Sequence, residues 1–167
     1  DELFDKARAA YEEKGPAAAL PLFEIALADY RAAGDRKGEA ITLGLVGNCH
    51  KKLGDLDEAL SLLGQALAMK RSLGDRLEEG KTLSHLGLLR WERAEYPEAI
   101  RSLEEAAKIG RELRDAKLEG SAVNNLALVH DELGDYERSL AEYRRALDLY
   151  READFPRGEG DTLGNIG

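Results

Sequence analysis

An all-α solenoid of antiparallel helix pairs is what this sequence predicts, and three observations carry the prediction. The chain repeats every 40 residues without a gap: GDRKGEA ends at Ala40, GDRLEEG at Gly80, RDAKLEG at Gly120 and DFPRGEG at Gly160. Each is followed by a matching opening, ITLGLVG from Ile41, KTLSHLG from Lys81, SAVNNLA from Ser121 and DTLGNIG from Asp161. Within each copy the apolar residues fall at helical spacing on two successive stripes. A fixed period of this size signals units that bury their apolar faces only by stacking on neighbours. The expected organisation is one array, with repeats at about 1–40, 41–80, 81–120 and 121–160 and a partial fifth at 161–167. Opening on Asp1 and stopping a few residues into a repeat, it reads as a fragment of a longer protein.

The second unit shows how one repeat is built. Leu43, Val46, Gly47 and His50 lie on one face of a helix of about 15 residues. Gly54 and Asp55 break it, and Leu56, Ala59, Leu60, Leu63, Ala66 and Leu67 carry the second stripe. Gly74 stands where a helix end favours a left-handed residue, and Asp75 with Glu78 can cap the next helix. The third unit matches with Leu83, Leu86, Gly87 and Arg90, then Ala99, Leu103 and Ala106. The fourth follows with Val123, Leu126, Ala127 and His130, then Ser139, Tyr143 and Ala146. Small residues recur where paired helices must approach closely: Gly47, Gly87 and Ala127 on the first helix, Ala59, Ala99 and Ser139 on the second. The first unit fits through Leu3, Ala7, Ala10, Ala19, Phe23 and Ala26, but places Lys6 at a core-like position.

Composition narrows the function. Apolar residues make up 43% and charged residues 34%, a mixture that suits amphipathic helices and is too apolar for a disordered chain. A net charge of −9 argues against nonspecific attachment to nucleic acid or an anionic membrane. A single cysteine, Cys49, allows no internal disulfide, and no apolar run approaches a membrane span, so the expected compartment is the cytoplasm.

GDRLEEGKT, from Gly74 to Thr82, has five residues between its glycines where a phosphate-binding loop needs four, and no strand precedes it. The terminal glycines Gly158, Gly160, Gly164 and Gly167 follow the repeat, not a dinucleotide fingerprint. His50, His85 and His130 offer no pair at helical metal-ligand spacing, and Cys49 aligns with Leu89 and Val129, as a buried thiol would. The acidic pairs Glu12–Glu13, Glu78–Glu79 and Glu104–Glu105 read as solvated helix exteriors. The expectation is therefore no enzyme, no cofactor and no metal.

Gly47, Ala59 and the apolar residues between them, set on a helix–turn–helix unit, resemble the tetratricopeptide repeat. The 40-residue length and the GDRxxEG and NLG-like segments are similar to its long-repeat subclass, the Partner of Inscuteable and kinesin light chain type. The resemblance implies a right-handed superhelix whose first helices line a concave groove for an extended peptide or a helical segment. Two departures stand out: His50, Arg90 and His130 replace the family's aromatic residue, and the usual proline ending the second helix is absent.

On helical geometry, the face opposite each first-helix core stripe carries Ile41, Gly44, Leu45, Asn48 and Lys52, then Lys81, Ser84, His85, Leu88 and Glu92, then Ser121, Asn124, Asn125, Leu128 and Glu132. Three leucines in adjacent rows make a patch worth binding. Asn48, Asn124, Asn125 and Asn165 carry amides matched to a peptide main chain, or else bond helix to helix between repeats. Trp91 lies at the groove edge, as a wedge between repeats or an anchor for a ligand. Lys51, Lys52 and Lys81 hint at an acidic or C-terminal group on the partner, although no three consecutive rows supply a dicarboxylate clamp. The function expected is a protein-interaction scaffold; the alternative is a sensor or regulatory array of a larger signalling ATPase or protease. Self-association through the open repeat end at Gly167 is a further expectation.

Overall fold

The computed structural model describes residues 2–167. Among them are nine helices and no strand: α1 (Glu2–Lys14), α2 (Pro16–Ala33), α3 (Arg36–Leu53), α4 (Leu56–Ser72), α5 (Arg76–Glu92), α6 (Tyr96–Leu113), α7 (Ala116–Glu132), α8 (Tyr136–Glu152) and α9 (Pro156–Ile166). Each helix that opens a repeat starts near residue 36 of the 40-residue block. The blocks drawn at 40, 80 and 120 therefore mark sequence register, and the structural hairpins begin a few residues earlier.

The turns explain the period. Residues 34, 54, 74, 94, 114, 134 and 154 all adopt positive φ, between 48° and 89°. A left-handed residue ends a helix and frees the chain to reverse. It recurs every 20 residues, half the sequence repeat. Aspartates one residue on then start the next helix: Asp35 accepts from the Lys37 and Gly38 amides at 3.1 and 2.9 Å, and Asp115 from Leu118 N at 2.8 Å.

The chain divides into two compact units, Asp1–Asp75 and Arg76–Gly167. In the first, α1 packs on α2, α2 on α3 and α3 on α4. Its core gathers Ala7, Ala19, Phe23, Leu43, Val46, Cys49 and Leu62, with Phe4 stacked edge-on against Phe23. Lys6 is not part of it, contrary to the sequence expectation: it is exposed and ion-paired to Glu2 at 2.7 Å, because Ala7 is the residue of α1 that turns inward.

In the second unit, consecutive helices pack from α5 through α9, and α5 also touches α7, as α7 does α9. The odd helices thus form one layer and α6 and α8 the other. The small residues sit where close approach requires them. A methyl at Gly87 would lie 2.5 Å from Leu103 Cγ, and one at Gly47 3.0 Å from Leu63 Cγ. Ala59, Ala99, Ala127 and Ser139 are buried at the matching positions.

Hairpins are also joined by charge. Arg31 bonds Glu39 at 3.0 Å, Arg111 bonds Glu119 at 3.2 Å, and Arg151 bonds Glu159 at 3.3 Å. Each arginine ends a second helix, and its glutamate lies in the first turns of the next. Glu119 is buried and held additionally by Arg145. Glu79 is buried too, 2.8 Å from Arg76, so the Glu78–Glu79 pair does not lie wholly on a solvated exterior as its sequence suggests. Bonds to Glu112 and Glu79 hold the Arg76 guanidinium firmly protonated.

Candidate functional site

Because α5, α7 and α9 share one layer, the side chains between their core stripes line a common groove of about 530 Å3 in the second unit. Lys81, Ser84, His85 and Leu88 come from α5, Leu118, Ser121, Asn124 and Asn125 from α7, and Gly158 and Asp161 from α9. Tyr150 from α8 and Phe155 from the α8–α9 turn close one end together with Leu77. Phe155 and Tyr150 rings pack with centroids 5.5 Å apart, and Lys117 Nζ lies 4.1 Å above the Phe155 ring. Lys117 thus places a cation beside the aromatic pair, while Ser84, Ser121, Asn124 and Asn125 line the rest of the groove with His85 and Leu88.

Charge in the groove is mixed. Lys81 is paired with Glu78 at 2.7 Å, Asp115 is occupied capping α7, and Asp161 is exposed. Tyr150 donates to Ser121 Oγ at 3.3 Å; burial pushes its phenol pKa up, and the bond to Ser121 offsets part of that rise.

The two asparagines differ. Asn124 is buried, and its Oδ1 accepts from Thr162 Oγ1 at 2.9 Å and from Asn165 Nδ2 at 3.4 Å, both on α9. Its Nδ2 donates to Asn125 Oδ1 at 3.4 Å. Asn124 therefore ties one hairpin to the next while lining the groove. Asn125 is half-buried and lines the groove, its Oδ1 engaged by Asn124.

Of the residues expected on the binding face, Lys81, His85, Leu88, Asn124 and Asn125 are brought together here. Leu128 is half-buried on α7 and lies outside the groove lining. Trp91 is half-buried against the cluster of Ala99, Leu103, Leu126 and Val129, beside Tyr96 and Ile100, so it packs a hairpin seam. In the first unit Leu45 and Asn48 line a separate pocket of about 160 Å3 with Arg8, Tyr11, Glu12 and Phe23, and Lys52 is exposed outside it.

Sequence reasoning passed over Leu118, Tyr150 and Phe155 as site residues, whereas Ser84 fell on the expected groove face. Tyr150 and Phe155 come from a second helix and a turn, elements that the first-helix face argument ignores. The signal for Ser84 was the repeat position it shares with Gly44, Asn124 and Gly164.

The histidines are structural partners or groove residues. His130 Nδ1 lies 2.7 Å from Glu142 Oε2, and His50 Nδ1 3.2 Å from Asp55 Oδ2. Arg90, at the same repeat position, donates to Ser102 Oγ at 2.6 Å. These polar pins replace the aromatic residue whose absence the sequence reveals. Cys49 is fully buried, and desolvation pushes its thiol up to about 11, far from a nucleophile at neutral pH. Gly80 of the phosphate-loop-like segment sits inside α5, where a methyl would meet Leu118 at 2.7 Å. Among the described residues no cluster of His, Cys, Asp and Glu could hold a metal, and no helix is long and apolar enough to cross a membrane.

Comparisons with known proteins agree with this architecture. A family model described as tetratricopeptide repeat matches residues 3–72 and 78–152. No curated protein sequence matches significantly. Among solved structures, aspartyl phosphate phosphatase F from Bacillus subtilis superposes with a TM-score of 0.89 at 16% identity, over 96% of this chain and 42% of that one. A Rap protein complexed with competence and sporulation factor gives 0.87 at 19% identity, over 96% and 45%. A signal transduction ATPase with a tetratricopeptide repeat sensor, from Pyrococcus horikoshii, gives 0.86 at 20%, over 98% and 26%. At these identities the likeness is one of fold, and this chain spans less than half the length of each.

Proposed function

The chain belongs to the tetratricopeptide-repeat family, and on that footing we propose that it is a protein-interaction module that takes an extended peptide or helical segment in the α5–α7–α9 groove. The observation that carries this reading is the groove itself. A volume of about 530 Å3 is open to solvent, its apolar end formed by Leu118, Tyr150 and Phe155 and its polar wall by Asn125 and Ser121. Apolar pockets take alternate side chains of an extended segment, and amides can both donate to and accept from its main chain. The solved Rap protein complexed with competence and sporulation factor shares the fold, which is consistent with such use. The unbroken 40-residue period supports placing the chain in the long-repeat subclass.

Leu88→Asp and Asn125→Ala test the reading. Each should weaken peptide binding, Leu88→Asp by about tenfold or more, with far-ultraviolet circular dichroism unchanged. Asn125 is preferred to Asn124 because the latter also bonds α9. Binding unaltered in both variants rejects the groove.

A second reading is a sensor array within a larger signalling protein, favoured by the fold shared with the repeat sensor of the Pyrococcus horikoshii ATPase. It uses the same groove and differs in what the array reports to.

A further inference from the structure

We propose that Ser84 is a peptide-binding residue of the groove, whose hydroxyl donates to a main-chain carbonyl of the bound peptide; the inference rests on the groove reading above. Ser84 is only 6% exposed, and its Oγ has no hydrogen-bond partner. A buried hydroxyl left unpaired is costly, so its persistence calls for a reason.

Apart from Tyr143 Oη, which is also buried without a partner, several buried hydroxyls show how cheaply that cost is avoided. Thr42 donates to Gly38 O at 2.8 Å, Thr82 to Glu78 O at 2.7 Å, and Ser102 to Glu98 O at 2.9 Å. Each folds back onto the carbonyl four residues earlier in its own helix. Ser84 does not, and its side chain lines the groove beside Lys81, His85 and Leu88.

The repeat position sharpens the contrast. Gly44 and Gly164 carry no side chain there, and Asn124 spends its oxygen on α9. Ser84 is thus the hydroxyl-bearing member of a row whose other members are bare or already engaged across hairpins. Ser84 Oγ is itself buried beneath the groove surface, and a change of staggered χ1 would turn it towards a peptide carbonyl that satisfies it. An extended peptide fits this role because Asn125, on the neighbouring α7, lines the same groove and carries an amide suited to main chain.

The fold itself gains nothing from this hydroxyl, so its removal should separate stability from binding. The probe is a peptide selected from a displayed library of random short peptides against the full chain, with affinity read by calorimetry. Ser84→Ala should melt at the same temperature as the parent or higher, yet bind the peptide roughly three- to tenfold more weakly. Unchanged affinity in Ser84→Ala, with Asn125→Ala weakened, overturns the inference and leaves the groove reading intact. A lower melting temperature in Ser84→Ala overturns it too, since the hydroxyl would then serve the fold. Full binding by both Leu88→Asp and Asn125→Ala, or a library that yields no binder, rejects the groove and this inference with it.

Discussion

Cys49 shows how a single side chain reports its place in the repeat. Sequence alignment sets it level with Leu89 and Val129, and the structure buries it completely among Phe23, Leu43 and Val46. Desolvation favours the neutral thiol, raising its pKa from 9.0 to about 11. The protonated form is therefore preferred in the folded state. The contribution to stability is full below pH 9.0 and is lost as pH rises towards 11. Urea midpoints measured across that window should fall more steeply for the parent chain than for Cys49→Ala, and equal slopes would contradict the assignment. Asn124 teaches the complementary lesson. Its amide type and position were readable, but the choice between ligand and neighbouring helix depended on Thr162 and Asn165, which approach it only after α9 has docked.

At the scale of elements, the turns control the geometry. Seven left-handed residues recur every 20 positions, and three of them, Ala94, Arg114 and Asp154, have side chains that resist that conformation. Ala94 is exposed, with φ 58°, so glycine there relieves strain without disturbing packing. Ala94→Gly should stabilise the chain by about 0.5–1 kcal/mol, after allowing for the added freedom of the unfolded state, and a thermal melt will read it. The helix–turn–helix pattern was legible because glycine and aspartate mark these turns in most repeats. The finer 20-residue rule was not, since Ala94, Arg114 and Asp154 occupy the position without looking like turn residues. The Arg–Glu pairs linking hairpins were equally hidden, as a spacing of eight residues brings two side chains together only across a turn.

On the scale of the whole molecule, each unit is a stack in which helices touch mainly their neighbours, so stability is distributed and local. In the second unit α7 packs against α5, α6, α8 and α9, whereas α9 packs mainly on α8 and less on α7 and leaves Leu163 and Ile166 exposed. Amide hydrogen exchange should accordingly be fastest in α9 and slowest in α7, and equal protection of the two would show that the unit opens only as a whole.

The sequence by itself determined the helical class, the hairpin unit, the small-residue contacts and the burial of Cys49. All of these follow from periodicity, which is a property of residues near one another along the chain. Tertiary structure alone decided which amides remain open, that Trp91 packs a seam, that Glu79 and Glu119 are buried ion-pair partners, and that Tyr150 and Phe155 close the groove. Those outcomes depend on side chains from different hairpins meeting in space, and a one-dimensional period carries no information about which of two nearby partners a polar group will choose.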